Sequence, residues 1–219
     1  VLVNRLTGSR TIITRKMQTP PSLTYEQKLK LDDLAERLIA SEEPVTILID
    51  GHEAEISEYL IKKLPNARVV MDGGSLRASN IKLAAWTDYF VVSEHFARDY
   101  MSYRSLSTEA EIKAALIELN KICRGEAFIT LGEKGCAFLK SGMLQIVPSW
   151  LCNAVDTTGA GDVFHGAFTY GVHYSWHIDN IILFASLTAA ISIEKKGVRE
   201  SMPDLAVVHH SLNSYERNL

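Results

Sequence analysis

Between residues 45 and 131 the chain repeats one rhythm. Runs that are apolar at almost every position alternate with segments whose apolar residues recur at helical period. The runs are VTILI (45–49), ARVVM (67–71), DYFVV (88–92) and EAFITL (126–131); the segments between them are AEISEYLIKKL, ASNIKLAAW and STEAEIKAALIELNKIC. A strand without polar alternation must be covered on both faces, and crossover helices above and below a parallel sheet supply that cover. The pattern predicts an α/β chain: a mostly parallel sheet between two layers of helices, with right-handed crossovers.

The flanks depart from this rhythm. VLVNRL and RTIITR around TGS read as a hairpin, and QTPPS as a loop that Pro20 and Pro21 keep out of regular structure. Thr24 and Gln27 have capping-box spacing, and Leu31, Leu34 and Leu38 follow at helical period to about residue 41. After GEKG, the runs CAFLK and MLQIV around Ser141 and Gly142 predict a hairpin on the sheet's edge. The rest reads as helix, over 162–174, over 179–194 and from Pro203, a residue suited to a first turn. No internal repeat or low-complexity segment interrupts the chain, so a single domain over 1–219 is expected.

Composition excludes several function classes. Of 219 residues 47% are hydrophobic, enough for a real core, and the net charge of −3 is made of both signs mixed along the chain. No basic face argues for nucleic acid, and the apolar runs are strand-sized, too short to cross a bilayer. No leader pattern is present, and Cys123, Cys136 and Cys152 form no CxxC pair. A reduced, cytoplasmic protein without structural zinc or disulfides is expected, with neither nucleic acid nor membrane as partner. His165, His173 and His177 can share part of a helix face, but no acidic or cysteine partner stands at ligand spacing, which disfavours a metal there.

The stretch NAVDTTGAGDVFHGAF, from Asn153 to Phe168, carries the chemistry. Gly159, Ala160 and Gly161 leave their backbone almost bare at the start of a helix. Successive N–H groups can turn toward one point there, and the helix dipole adds positive potential, a recipe for holding phosphate. Asp162 would repel an anion unless its task is to take a proton from a hydroxyl while the amides hold phosphoryl oxygens. The plainer alternative makes Asp162 an N-cap and the glycines a tight turn.

The string from Asp156 to Asp162 resembles, without a gap, the Asp-Thr-x-Gly-Ala-Gly-Asp signature of the ribokinase-type (PfkB-type) carbohydrate kinases. ITLGEKG (129–135) resembles the family's strand-end loop, and EKKGVRESMP (194–203) the segment that closes its adenine and cation side. TGSRTII, IDGH and VVSEHFA look closest to the ketohexokinase-like branch, and the resemblance runs over nearly all of the chain from about Val45. It implies a ribokinase-like three-layer fold and ATP-dependent transfer of phosphoryl to a hydroxyl of a small sugar. Asp162 would be the base. Thr130, Gly132, Gly135 and Ser186 would join Gly159, Ala160 and Gly161 in holding ATP. Asp156, Thr158, Gly197 and Ser201 would surround a potassium-like ion, although Asp156 also suits a simple turn. ATP, the sugar and magnesium are the implied small-molecule partners, and a homodimer is left open.

Two departures qualify the resemblance. Where the family carries an Asn-x-x-Glu motif that organises magnesium, this chain reads SEHF (93–96), so magnesium has no assigned protein ligand. The family's opening strands, lid and sugar-gripping residues have no counterpart, so the chain is expected to carry the ATP half and the base, with weak sugar turnover alone. The alternative is a non-catalytic nucleotide-binding or assembly module. A nicotinamide-dependent dehydrogenase fails on position, because the Gly-rich loop comes late and follows a hairpin. His52, at the end of ILIDGH, is a further candidate to face substrate.

Overall fold

The computed structural model of the chain describes residues 2–3, 10–11 and 22–216. Its elements are β1 (Leu2–Val3), β2 (Arg10–Thr11), α1 (Tyr25–Ala40), β3 (Thr46–Ile49), α2 (Ala54–Lys63), β4 (Arg68–Gly73), α3 (Ala78–Ala84), β5 (Tyr89–Ser93), α4 (Glu94–Tyr100), α5 (Glu109–Asn120), β6 (Glu126–Thr130), β7 (Cys136–Lys140), β8 (Met143–Val147), α6 (Ala160–His173), α7 (Ile178–Ile193) and α8 (Leu205–Glu216). A single 3-10 turn, Gly132–Lys134, sits between β6 and β7. The opening hairpin is present as the antiparallel pair of β1 with β2, Leu2 opposite Thr11; the rest of its predicted span and most of the QTPPS loop lie outside the described residues.

Six strands form one sheet in the order β3-β4-β5-β6-β7-β8. The first four are parallel, in register Thr46↔Arg68, Val70↔Tyr89 and Tyr89↔Glu126. β7 and β8 are joined by Ser141 and Gly142, both at positive φ (52° and 75°), the backbone signature of a tight hairpin turn, and β8 is the edge strand. The sheet is therefore mixed, as the change of pattern after GEKG implied. The βαβ connections run in one direction from β3 to β6, so each strand adds to the same growing edge.

The described chain divides into two compact units. One comprises 22–131 and 137–146. Its core lies on one sheet face, where Val69, Met71, Phe90, Val92 and Ile129 pack with Leu83 of α3, Phe96 of α4 and Leu116 and Leu119 of α5. On the opposite face Val70, Val91, Phe128 and Phe138 are also buried, so the strands are apolar on both sides for a structural reason. Phe128 stacks on Phe138 at 5.7 Å. α1 starts as read: Thr24 Oγ1 accepts from the Gln27 N–H at 3.2 Å, and Gln27 returns its side chain to the Thr24 N–H at 2.8 Å. A second capping box, Thr108 with Glu111, opens α5.

The other unit comprises the β1–β2 pair, residues 132–136 and residues 147–216. Its body is the packing of α6 on α7, with Phe164, Phe168, Val172, Ile181, Ile182 and Phe184 buried. Gly171 lets the two helices approach: a Cβ there would stand 2.9 Å from Ile181 Cγ1.

Several boundaries differ from the sequence reading, and the last helix starts at Leu205, leaving Pro203 outside its first turn. α4 is a helix of its own, starting where Ser93 Oγ accepts from the Phe96 N–H at 3.0 Å. α6 begins at Ala160, two residues early, with Gly159 as N-cap. The long helix predicted over 107–123 spans only Glu109–Asn120. Among the described residues no helix is long and apolar enough to cross a membrane.

Candidate active site

The loop before α6 is tied at both ends. The N–H groups of Val155 and Asp156 donate to the carbonyl of Ile193, at the end of α7, at 2.7 and 3.1 Å. The Asp156 side chain fixes the next turn of the loop. Its Oδ1 accepts from the Thr158 N–H at 3.0 Å and its Oδ2 from the Gly197 N–H at 3.3 Å. One carboxylate thus joins the DTTGAGD loop to the turn at 197–201, which begins 41 residues on in the chain, and the two loops of the sequence reading meet. Ser201 is buried and closes that turn, its N–H on the Gly197 carbonyl at 3.1 Å and its hydroxyl on the Val198 carbonyl at 3.4 Å.

Gly159 is held in the left-handed region, φ 76° and ψ 2°, and is buried. A Cβ there would lie 2.4 Å from Val198 Cγ1, so the glycine is required both by its dihedral and by the turn packed over it. From this cap the first N–H groups of α6 emerge without a side chain to occupy them, for Gly159 makes no side-chain capping bond. Gly161 is exposed, with nothing within 4 Å of where its Cβ would be. The helix start is open at Gly161, but the Ala160 N–H is already bonded, donating to the Thr157 carbonyl at 3.3 Å.

Asp162 is the third residue of α6, in its first turn and exposed, so it is not the N-cap. Among the described residues it has no hydrogen-bond or ion-pair partner. Its carboxylate lies in the first turn of α6, in the same turn as the exposed Gly161.

Thr158 supplies an independent sign of a ligand. Its Oγ1 is buried and has no hydrogen-bond partner among the described residues. A buried hydroxyl without a partner costs about 1–3 kcal/mol. Thr158 neighbours Asp156, whose carboxylate is tied to the turn at Gly197, and both offer oxygen, the donor that hard cations take. Oxygen donors of this kind are compatible with a hard cation such as the potassium-like ion that the resemblance implies. Among the described residues no group of three or more His, Cys, Asp or Glu gathers as a metal cluster.

The other expected residues lie on both units. Thr130 ends β6 opposite Ser93, half-buried, its hydroxyl donating to the Val92 carbonyl at 3.4 Å. Gly132 and Gly135 bracket the 3-10 turn with φ of 61° and 104°. Gly132 is open, whereas a Cβ on Gly135 would fall 1.9 Å from the Val147 carbonyl oxygen. Ser186 is buried on α7. Where the family keeps its magnesium motif, the Ser93 side chain is occupied, accepting from Phe96 and donating to the Gly74 carbonyl at 2.9 Å.

The histidines go elsewhere. His165 Nδ1 bonds the Gly161 carbonyl of its own helix at 2.6 Å, His177 pairs with Asp179 at 3.2 Å, and His173 packs edge-on to Tyr174. His52 pairs through Nε2 with Arg77 at 2.9 Å, a partner that sequence reading missed because it lies one βα unit away. The cysteines are free thiols; burial pushes Cys123 up to about 11 and raises the buried Cys136 further. The contact of Val198 over Gly159 was also missed: a valine in GVRES carries no pattern that points to the other loop.

Comparison with known proteins gives the fold and the loops a context. The family model described as pfkB family carbohydrate kinase matches residues 74–205, more than half of the chain. A ribokinase of Lactococcus lactis subsp. lactis is 29% identical over 189 residues, 86% of this chain and 60% of its own length. A deoxyribokinase of Salmonella typhi is 30% identical over 142 residues, 65% of this chain and 46% of its own. The chain thus spans about half to three fifths of the curated relatives it matches. Among solved structures, ribokinase from Giardia lamblia superposes with a TM-score of 0.70 at 23% identity, covering 84% of this chain and 62% of that one. Arabidopsis thaliana ribokinase, solved with ribose and ATP, superposes with a TM-score of 0.68 at 20% identity, covering 87% and 60%. The loop that opens α6, the turn that Asp156 holds against it and the family match over both together make this chain a member of the pfkB family of carbohydrate kinases.

Proposed function

We infer that the chain belongs to an ATP-dependent sugar kinase that moves a phosphoryl group to a hydroxyl of a small carbohydrate, and that it carries the base and the anion-holding loop. The observation that carries this is the pairing of bare amides at the start of α6 with an unpartnered, exposed Asp162 two residues after Ala160. ATP, when bound, supplies the transferred group and the leaving group. The first N–H groups of α6 would face the charge that develops on the transferred oxygens, the larger part of catalysis in such a reaction. Asp162 would accept the acceptor hydroxyl's proton on its carboxylate as the new O–P bond forms. Asp156, Thr158 and Ser201, with the backbone at Gly197, would hold a potassium-like ion that orders this loop from behind. Gly132, Gly135 and Ser186 are proposed to line the nucleotide. Whatever else the sugar needs for its grip is proposed to come from chain beyond these elements, in line with the length the relatives have.

The test is Asp162→Asn in the longest natural form of the protein, assayed with MgATP and a panel of pentoses and hexoses, in KCl and in tetramethylammonium chloride. ADP binding should stay within about threefold of the parent while turnover falls by about 10³-fold or more, the scale of losing a base and its charge. Turnover in the parent should fall when the larger organic cation replaces potassium. A variant within tenfold of the parent would remove Asp162 from the role of base. ADP binding without sugar-dependent turnover in the parent would favour the non-catalytic module.

A further inference from the structure

In the unit that contains α6, α7 and α8 there is a cavity of about 420 Å³ that the proposed transfer of phosphoryl does not use. Three rings form its walls: Trp176, from the turn between α6 and α7, Phe184 of α7 and His209 of α8. Trp176 meets Phe184 edge to face at 5.2 Å and 89°, and His209 stands 6.2 Å from Trp176 and 5.8 Å from Phe184. The side-chain amides of Asn180 and Asn213 and the ring of His177 also line it.

The walls are held before anything binds. The backbone N–H of Trp176 donates to the Gly171 carbonyl at 3.0 Å. A Cβ on Gly171 would come within 3.2 Å of Trp176 Cε3, so the bare glycine makes the seat for the indole. Tyr170 supports both rings from behind, 5.6 Å from Trp176 and 5.7 Å from Phe184. By contrast, neither Asn180 nor Asn213, both exposed, has a side-chain hydrogen-bond partner among the described residues. His177, which also lines the cavity, pairs with Asp179 at 3.2 Å, so the polar groups left open to a guest are the two primary amides.

The volume lies within the range of small-molecule sites, and rigid rings with a few convergent polar groups are what such sites are built from. Edge-to-face and offset ring contacts favour a flat guest over a puckered one of equal area. Primary amides present one donor edge and one acceptor edge, which match the same edges on a carboxamide or a nucleobase. The geometry points to a binding site for a small, neutral, planar heteroaromatic molecule with an amide-like edge, its ring between Trp176, Phe184 and His209 and its edge on Asn180 and Asn213. This site stands independently of the kinase reading.

The experiment titrates the full chain with nicotinamide and with cyclohexanecarboxamide, which keeps the amide and replaces the flat ring by a puckered one. Isothermal calorimetry gives affinity, and backbone amide shifts locate the guest, with saturating ADP present to keep the phosphate loop occupied. Nicotinamide should bind with a Kd of about 1 mM or tighter and at least about tenfold better than the puckered amide, with shifts on α7 and α8. Asn180→Leu with Asn213→Leu should abolish the binding, and His209→Ala should weaken it about tenfold without moving Tm. These three positions are exposed and on helices, so the result does not depend on a fragile Trp176 variant. Equal affinity for the two amides, no binding at about 10 mM, shifts confined to other elements, or affinity unchanged by the variants would each overturn the site. So would sedimentation showing a dimer that Asn213→Arg dissociates, since a second copy would then be the occupant.

Discussion

Gly159→Ala is the substitution that most directly questions the loop geometry on which the site depends. Gly159 sits at φ 76° and ψ 2°, a left-handed conformation that costs an L-residue about 1–2 kcal/mol. The new Cβ would stand 2.4 Å from Val198 Cγ1 and 3.3 Å from Cγ2, the first well inside the 3.0 Å that real contacts respect. Val198 cannot simply swing away, because Gly197 before it is bonded to Asp156 and the Ser201 turn closes behind it. Overpacking of this kind costs about 1–3 kcal/mol, and alanine's poorer unfolded state returns about 0.5 kcal/mol. The expected loss of stability is about 2–4 kcal/mol, read by urea unfolding followed by far-UV circular dichroism. A double-mutant cycle separates the two causes. Val198→Ala removes both methyl groups that the new Cβ meets, so the double variant should keep only the dihedral cost. Its loss should be smaller than the two single losses added together, by about 1–2 kcal/mol. A double variant as unstable as the sum, or worse, would show that Val198 does not pack on this loop as described.

The same physics sets two further outcomes. Gly135→Ala should destabilise strongly, by about 3 kcal/mol or more, because its Cβ would meet the Val147 carbonyl and Pro148 backbone, which cannot rotate out of the way; Gly132→Ala, with φ 61° and open space, should cost about 1 kcal/mol by the same unfolding assay. Glu111 is held below its ordinary value of 4.5 chiefly by the Thr108 backbone N–H and then by that of Ser107. Its lowered folded value means that its contribution is present above the unfolded value and lost as pH falls through the folded one. Glu111→Gln should therefore lower Tm at pH 7 and lose that deficit toward pH 3; a deficit that persists at acid pH would assign it to packing rather than charge.

Most of the element order was legible because each element declared itself locally. Runs such as ARVVM and EAFITL lack polar alternation, and the burial of Val69, Val70 and Met71 on alternate faces is the reason. The Thr24 and Gln27 box needs only four residues to specify the start of α1. α4 escaped notice since seven residues hold barely two turns, too few for periodicity, and its start depends on Ser93 reaching both Phe96 and Gly74. α6 was placed two residues late because its cap is a glycine, which signals a turn as readily as a helix.

By itself, the sequence determined the layered α/β plan, the bare loop before α6 and the aspartate beside it. Apolar periodicity and the lack of side chains on glycine act within a few residues and can be read along the chain. The tertiary structure decided which distant residues meet. It put Gly197 on the second carboxylate oxygen of Asp156, left the Thr158 hydroxyl buried without a partner, laid Val198 over Gly159 and set His209 against Trp176. Contacts of this kind depend on how helices cross and loops close, and no local pattern in the chain encodes them.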